Sequence, residues 1–214
     1  LRAGVRAWVA ISEQTKVELE ALGVPERDIA LIPNGVDLGE FAPPVDRAAV
    51  RAQLGVPPNG PVVLTVARLQ PHKQVDQLLR AVHAADATAA VWVVGTGPAE
   101  ASLRALAAEL GIAERVRWWG ALPPDAMPRL YAAAEIFALV SRYEGLSNAL
   151  LEAMAAECAV LATSVSGSAD VVRHGVNGLL CPPDDLDRIA AHLRDLLRDR
   201  GLRERLGLAA RATV

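Results

Sequence analysis

Residues 136–157 read IFALVSRYEGLSNALLEAMAAE. An apolar run passes through a polar, glycine-containing loop into a stretch rich in alanine and leucine. Residues 136–140 predict a short buried strand. Residues 148–157 predict a helix whose early turns are apolar nearly all round, so it too should be buried. A strand feeding a helix in this way is the repeating unit of a parallel sheet covered on both faces.

The same alternation extends in both directions. Upstream, residues 61–67 (PVVLTVA), 91–94 (VWVV) and 116–119 read as strands. Helices are predicted between them over 75–84, over 98–110 with Gly111 as stop signal, and over 125–134. Downstream, strands are predicted at 160–163 and 178–181, with helices near 169–173 and over 185–198. The last of these has acidic residues at its start and basic ones near its end, matching the helix dipole. From residue 61 onward the fold class is therefore α/β, a Rossmann-like doubly wound parallel sheet. Ligands of such sheets bind at the carboxyl ends of the strands, at a topological switch point.

The first 60 residues differ. Strands are predicted at 7–11 and 29–32, with a helix over 13–22 capped by Ser12. Residues 33–37 (PNGVD) are turn chemistry. Residues 37–60 are rich in Pro and Gly, with one short helix over 47–54, and read as a linker. Two strands and a helix make no core alone, so they should be a fragment of a second α/β domain.

Composition limits the function. The chain has 214 residues, 52% hydrophobic and 22% charged, with 4% aromatics and a net charge of −3. A cored globular protein is expected, and no basic patch marks a nucleic-acid partner. No apolar run reaches the roughly 18 residues of a membrane span. Cys158 and Cys181 form neither a metal motif nor a disulfide framework, so a cytoplasmic setting is expected. The chain begins with Leu1 and no signal-peptide pattern, as though in the middle of something longer.

Chemistry should lie just after each strand. A carboxylate at Glu152, in a buried helix start, is costly unless it is paired or hydrogen-bonded. It could accept hydrogen bonds from ligand hydroxyls at the sheet edge. Gly145 would let backbone amides approach a ligand, and the helix start near Leu146, Ser147 and Asn148 favours an anion. On these grounds alone, Glu144 reads equally as a surface charge and Glu152 as a partner for an arginine. Arg68 and Lys73, after the first strand, offer a planar fork and a point charge for a phosphate, or simply a solvated surface. Gly97, in the turn after the second strand, either admits a ligand or shapes the turn; residues 95–98 are no dinucleotide fingerprint. Asp185 and Asp187 read as helix-opening carboxylates rather than a metal motif. The histidines form no ligand pattern.

The segment Glu144-Gly145-Leu146-Ser147-Asn148-Ala149-Leu150-Leu151-Glu152 resembles the motif of two glutamates eight apart in family-4 glycosyltransferases, which have the two-domain GT-B fold. Residues 32–37, 64–69, 131–134, 152–155 and 175–180 match the family in the same order, so the similarity covers nearly the whole chain. The resemblance implies a nucleoside-diphosphate-sugar donor, a transfer that retains anomeric configuration, and no metal or other cofactor. Carried over, Glu152 binds the ribose hydroxyls and Glu144 the donor sugar, while Arg68 and Lys73 neutralise the departing diphosphate. Leu122 lies in a loop that presents backbone groups to the base, and Ser141 and Arg142 border the base side. It further implies an acceptor domain tail at 1–36, a linker at 37–60, a donor-binding domain at 61–200 and a truncated segment at 201–214. The acceptor (a sugar, lipid or other small molecule) and any peripheral membrane contact would then belong to the part before Leu1, and this chain alone should bind nucleotide weakly and transfer no sugar. A donor-binding subunit working with a separate acceptor-binding protein, or an epimerase or phosphorylase of the same architecture, are the alternatives.

The chain departs from the family pattern at several points. Ala67, Gln74 and Glu157 stand where glycine is usual, Ala159 replaces a proline, and Ser166 replaces one of two glycines. Ala169-Asp170 replaces Pro-Glu. Gln74 is expected to narrow the phosphate pocket.

Overall fold

The computed structural model describes residues 7–43, 46–57, 60–85 and 89–214. Near the start, β1 (Trp8–Ala10) pairs in parallel with β2 (Ile29–Leu31), joined through helix α1 (Glu13–Ala21). Ser12 caps α1 as its sequence requires, its side chain accepting the Thr15 amide. Helix α2 (Arg47–Gln53) lies within the expected linker and is capped by Asp46.

The remainder is one six-stranded sheet. Its strands are β3 (Val62–Val66), β4 (Ala90–Val94), β5 (Val116–Gly120), β6 (Ile136–Leu139), β7 (Ala159–Thr163) and β8 (Leu179–Cys181). They lie in the order β5-β4-β3-β6-β7-β8, and every pairing is parallel. The chain moves outward one way from β3 and the other way from β6. The switch point therefore lies between these two neighbours, where the sheet opens a crevice at its carboxyl edge.

The two-residue period of the strands sorts their side chains into two layers. Val63, Val91, Val93, Ile136 and Ala138 join the core formed with α3 (Val75–Ala85), α4 (Glu100–Glu109) and α8 (Leu186–Arg198). Val62, Leu64, Trp92, Val94, Phe137 and Leu139 join the other, with α5 (Met127–Ala133) and α6 (Asn148–Ala155). Both faces of the sheet are covered, which is why β3, β4, β6 and β7 read as near-continuous apolar runs, while the edge strand β5 carries the exposed Arg117. Helix α7 (Ser166–Val171) is short and follows β7. Cys158 and Cys181 are buried free thiols within the core.

Residues 200–211 also form a helix, α9 (Arg200–Arg211), within the segment expected to be a truncated tail. Asp199 caps it by accepting the Leu202 amide at 2.9 Å. Leu206 enters one core layer and Ala210 the other, so α9 is part of the sheet domain's packing. Its many arginines and its two glycines hide this apolar seam from a reading of hydrophobic pattern.

The amino edge of the sheet is tied down by a buried ion pair. Arg51 of α2 is 2% exposed. Its guanidinium donates to Glu135 at 2.5 Å, to the Ala133 carbonyl at 2.9 Å and to the Gly60 carbonyl at 2.8 Å. Glu135 in turn accepts the Val62 amide at 2.9 Å. Helix α2 is thus fastened to the starts of β3 and β6 through a fully partnered charge, the condition under which burial is tolerated.

Two of the substituted glycine positions are explained by backbone shape. Gln74 has φ +51° and Glu157 φ +59°, both in the left-handed region that favours glycine.

Candidate functional site: the carboxyl edge at the switch point

A cleft of about 590 Å³ opens at the carboxyl ends of β3, β4 and β5, a size typical of small-molecule sites. Arg68 lines it from the β3 side, Gly95 and Thr96 from β4, Leu122 from the loop after β5, and Ala149 and Glu152 from α6. Glu40 and Phe41 close it from the linker. Of the residues read from sequence, Arg68, Leu122 and Glu152 therefore meet around one cavity. Arg68 is exposed, and among the described residues it has no ion-pair partner, so its charge is open to a ligand.

Glu152 is half-buried, and its partner is not an arginine. The Tyr131 hydroxyl donates to its Oε2 at 2.8 Å. Tyr131 is fully buried. Burial raises the Glu152 carboxyl pKa, the Tyr131 bond works against that rise, and the nearby charge of Glu40 adds to it. Burial, then the charge of Glu152, pushes the Tyr131 phenol well above its usual range, so it stays a donor. One oxygen of Glu152 is thereby fixed in place, and the other remains as an acceptor at the wall of the cleft.

Outside the residues that line the cleft, the loops after the neighbouring strands β3 and β6 are joined to each other. Lys73 ends a short 3-10 turn over Pro71–Lys73. Its ammonium contacts both carboxylate oxygens of Glu144, at 2.8 and 2.6 Å. The Arg142 amide donates to the His72 carbonyl at 2.8 Å, and the rings of His72 and Tyr143 stack at 4.4 Å. Sequence reading gave Lys73 and Glu144 separate duties; the fold makes them one ion pair.

The Glu144 backbone is also held. Its carbonyl accepts the Ser166 hydroxyl at 2.8 Å and the Gly167 amide at 3.2 Å. A Cβ at Gly167 would strike the Gly145 carbonyl, so only glycine lets α7 lie this close to the loop. The Leu146 carbonyl accepts the Asn34 side-chain amide at 2.8 Å, which ties the loop to the turn after β2. Gly145 is exposed beside Ile11. Ser147 is the N-cap of α6 and Asn148 its first residue; the Ser147 side chain makes no capping bond, so the first amides of the helix remain open.

Lys73, Glu144, Gly145, Leu146, Ser147 and Asn148 lie in the neighbouring loops, outside the residues that line the cleft, and Arg142 and Gly97 have other contacts. Arg142 does not line the cleft; its guanidinium pairs with Asp184 at 2.9 Å, beside a groove between α3 and α4. Gly97 is packed against backbone, where an added Cβ would strike the Leu69 carbonyl, so the turn-shaping reading describes its contacts. The expectation for Gln74 is likewise corrected. Its side-chain amide donates to Asp184 at 2.5 Å and lies along the α3–α4 groove, away from the cleft. Asp185 caps α8 by accepting the Arg188 amide at 2.9 Å.

Tyr131, Glu40 and Phe41 are site residues that sequence reading missed. Tyr131 carried a usable signal. It is one of only two tyrosines in the chain, set in an alanine-rich buried helix, where its hydroxyl must find a partner. Glu40 and Phe41 carried none, because only the path of the linker brings them to the cleft.

These features define a doubly wound α/β domain with Arg68 and Glu152 on one cleft at the switch point and the Lys73–Glu144 pair in the adjoining loops. Residues 46–213 match the family described as Glycosyl transferases group 1, and the chain belongs to that family. It is 37% identical over 210 residues to a D-inositol 3-phosphate glycosyltransferase of Nocardia farcinica, covering 93% of this chain and 46% of that protein. It is 32% identical over 215 residues to a GDP-mannose-dependent alpha-(1-6)-phosphatidylinositol monomannoside mannosyltransferase of Mycobacterium tuberculosis, covering 95% of this chain and 56% of that one. Among solved structures, Anabaena HepE in complex with UDP and glucose superposes with a TM-score of 0.88 at 27% identity, covering 97% of this chain and 57% of HepE. The chain thus spans about half the length of the relatives it matches. These neighbours fit the GT-B expectation for the fold. Among the described residues, no helix is long and apolar enough to cross a membrane.

Proposed function

We propose that this chain is the nucleotide-sugar-binding half of a retaining, family-4 glycosyltransferase. The observation that carries the reading is Glu152, held through one oxygen by Tyr131 and presented to the same cleft as Arg68. A carboxylate at that place suits a ribose diol. Arg68, Lys73 and the open start of α6 would surround the diphosphate and stabilise the charge that develops as it departs. That arrangement calls for no metal. Glu144, beside Lys73, would take hydroxyls of the donor sugar.

The named relatives suggest where the whole protein works. One carries GDP-mannose in its name and the HepE complex holds UDP, so the donor is a UDP- or GDP-sugar. Both curated relatives are named for inositol-derived acceptors, and an inositol-containing acceptor is our reading for the complete enzyme. Acceptor binding would come from the half that this chain does not span.

A thermal-shift titration with UDP, GDP, ADP and their sugars tests this. UDP or GDP should raise the wild-type melting temperature, and Glu152→Ala should abolish the shift. If no nucleotide moves the wild-type curve, the donor-site reading is wrong.

A further inference from the structure

We propose that Glu144 competes with the donor's diphosphate for Lys73 and thereby promotes release of the nucleotide once the sugar has left. The inference rests on the donor-site reading above and adds a second duty for Glu144.

The geometry supplies the argument. The Lys73 ammonium is shared between both oxygens of Glu144, at 2.8 and 2.6 Å. The two side chains are only 16% and 13% exposed. Among the described residues, the Glu144 carboxylate has no other partner. Neither group needs a domain movement to find the other, because both backbones are pinned. The Lys73 amide donates to the Gln70 carbonyl at 3.0 Å, and the Glu144 carbonyl is held by Ser166 and Gly167. The pair is therefore a resting state to which the empty site returns by itself.

A lysine ammonium is a compact point charge that phosphate and carboxylate can both claim. A diphosphate that takes Lys73 leaves a shielded carboxylate without its cation, which is unfavourable. With an intact donor, the sugar's hydroxyls offset that loss by donating to Glu144. After transfer, the nucleoside diphosphate remains and the hydroxyls are gone. Glu144 then draws Lys73 back and weakens the hold on the product. The pair thus favours the sugar-loaded nucleotide over the spent one through its own chemistry.

Calorimetric titration of UDP and GDP into wild type, Glu144→Gln, Lys73→Met and the double variant tests this. Glu144→Gln should tighten binding of the free diphosphate about tenfold, a change of one decade in Kd. In the Lys73→Met background the same substitution should change nothing, because the contested cation is gone. The advantage of UDP-glucose or GDP-mannose over the matching free nucleotide should shrink in Glu144→Gln. Unchanged or weaker diphosphate binding by Glu144→Gln overturns the proposal. So does equal tightening with and without Lys73, which would mean simple removal of a negative charge from the site. If Glu144→Gln fails to fold, Glu144→Asp, which shortens the reach to Lys73, should show a smaller tightening of the same kind. If neither UDP nor GDP binds wild type, the donor-site reading itself fails; binding to wild type with no effect of the variants sinks only this proposal.

Discussion

The same two strands, β3 and β6, carry a cation–glutamate pair at each end. At the amino edge Arg51 meets Glu135, and every remaining donor of consequence is matched by backbone: Ala133 and Gly60 accept from the arginine, and Val62 donates to the glutamate. At the carboxyl edge Lys73 meets Glu144, and the carboxylate has nothing else among the described residues. The first pair is woven into the fold. The second satisfies itself and sits beside an open cleft. Two ion pairs of similar separation thus do different work, and what separates them is the number of additional partners rather than the distance.

Breaking the amino-edge pair should have the largest effect on stability. Arg51→Leu leaves Glu135 only the Val62 amide and the more distant Arg47, at 3.9 Å, and should cost about 3–5 kcal/mol, as removal of one buried partner does. For a chain of this size, calorimetry should show a melting temperature lower by about 10 °C. Lys73→Met should cost less, about 1–2 kcal/mol, because it leaves the shielded Glu144 without its cation but unties no backbone group. It should nevertheless lose most of its diphosphate affinity. Equal destabilisation by the two variants would erase the distinction.

Tyr131→Phe should act on the site with a smaller effect on the fold. It frees Glu152 to rotate and removes a bond worth about 1.5–3 kcal/mol to a charged group. Nucleotide affinity should fall by about tenfold, with a smaller loss for a 2′-deoxyribose analogue, which makes less use of Glu152. Equal losses for both nucleotides would detach Tyr131 from the ribose role.

The smallest predicted effect is a shift in pH dependence. Burial raises the Glu152 pKa, so its proton is taken up at a higher pH than for an ordinary carboxylate. Nucleotide binding should therefore weaken on acidification before the usual carboxylate range is reached, and Glu152→Gln should lack that limb of the profile. The sign for stability is opposite. A raised native pKa makes the contribution of Glu152 to folding fully present below its unfolded pKa and lost as pH rises through the native value. Chemical denaturation of wild type and Glu152→Gln at several pH values reads this directly.

Much of this was legible in the sequence. Strand–helix alternation located all six strands of the large sheet to within a residue or two, because the inner parallel strands are near-continuous apolar runs and β5, at the edge, still carries Val116 and two tryptophans. Ser12 announced its helix by cap chemistry. Helix α9 stayed hidden because its apolar positions are sparse among arginines. At the site, Arg68 and Glu152 could be named because one follows a strand and the other lies near a helix start at the carboxyl edge, whereas Leu122 was named only through the family resemblance. The Lys73–Glu144 pairing could not be, since 71 residues separate its members and only the adjacency of β3 and β6 joins them. The detour of Arg142 and Gln74 to Asp184 depends in the same way on the position of the loop after β8.

The most direct test is a crystal structure of this chain with GDP or UDP. A ribose diol should lie on the free oxygen of Glu152, the base toward Leu122, and the diphosphate within reach of Arg68 and of a Lys73 turned away from Glu144. A nucleotide bound instead at the amino edge, among Arg47, Arg51 and Arg200, would overturn the donor-site reading.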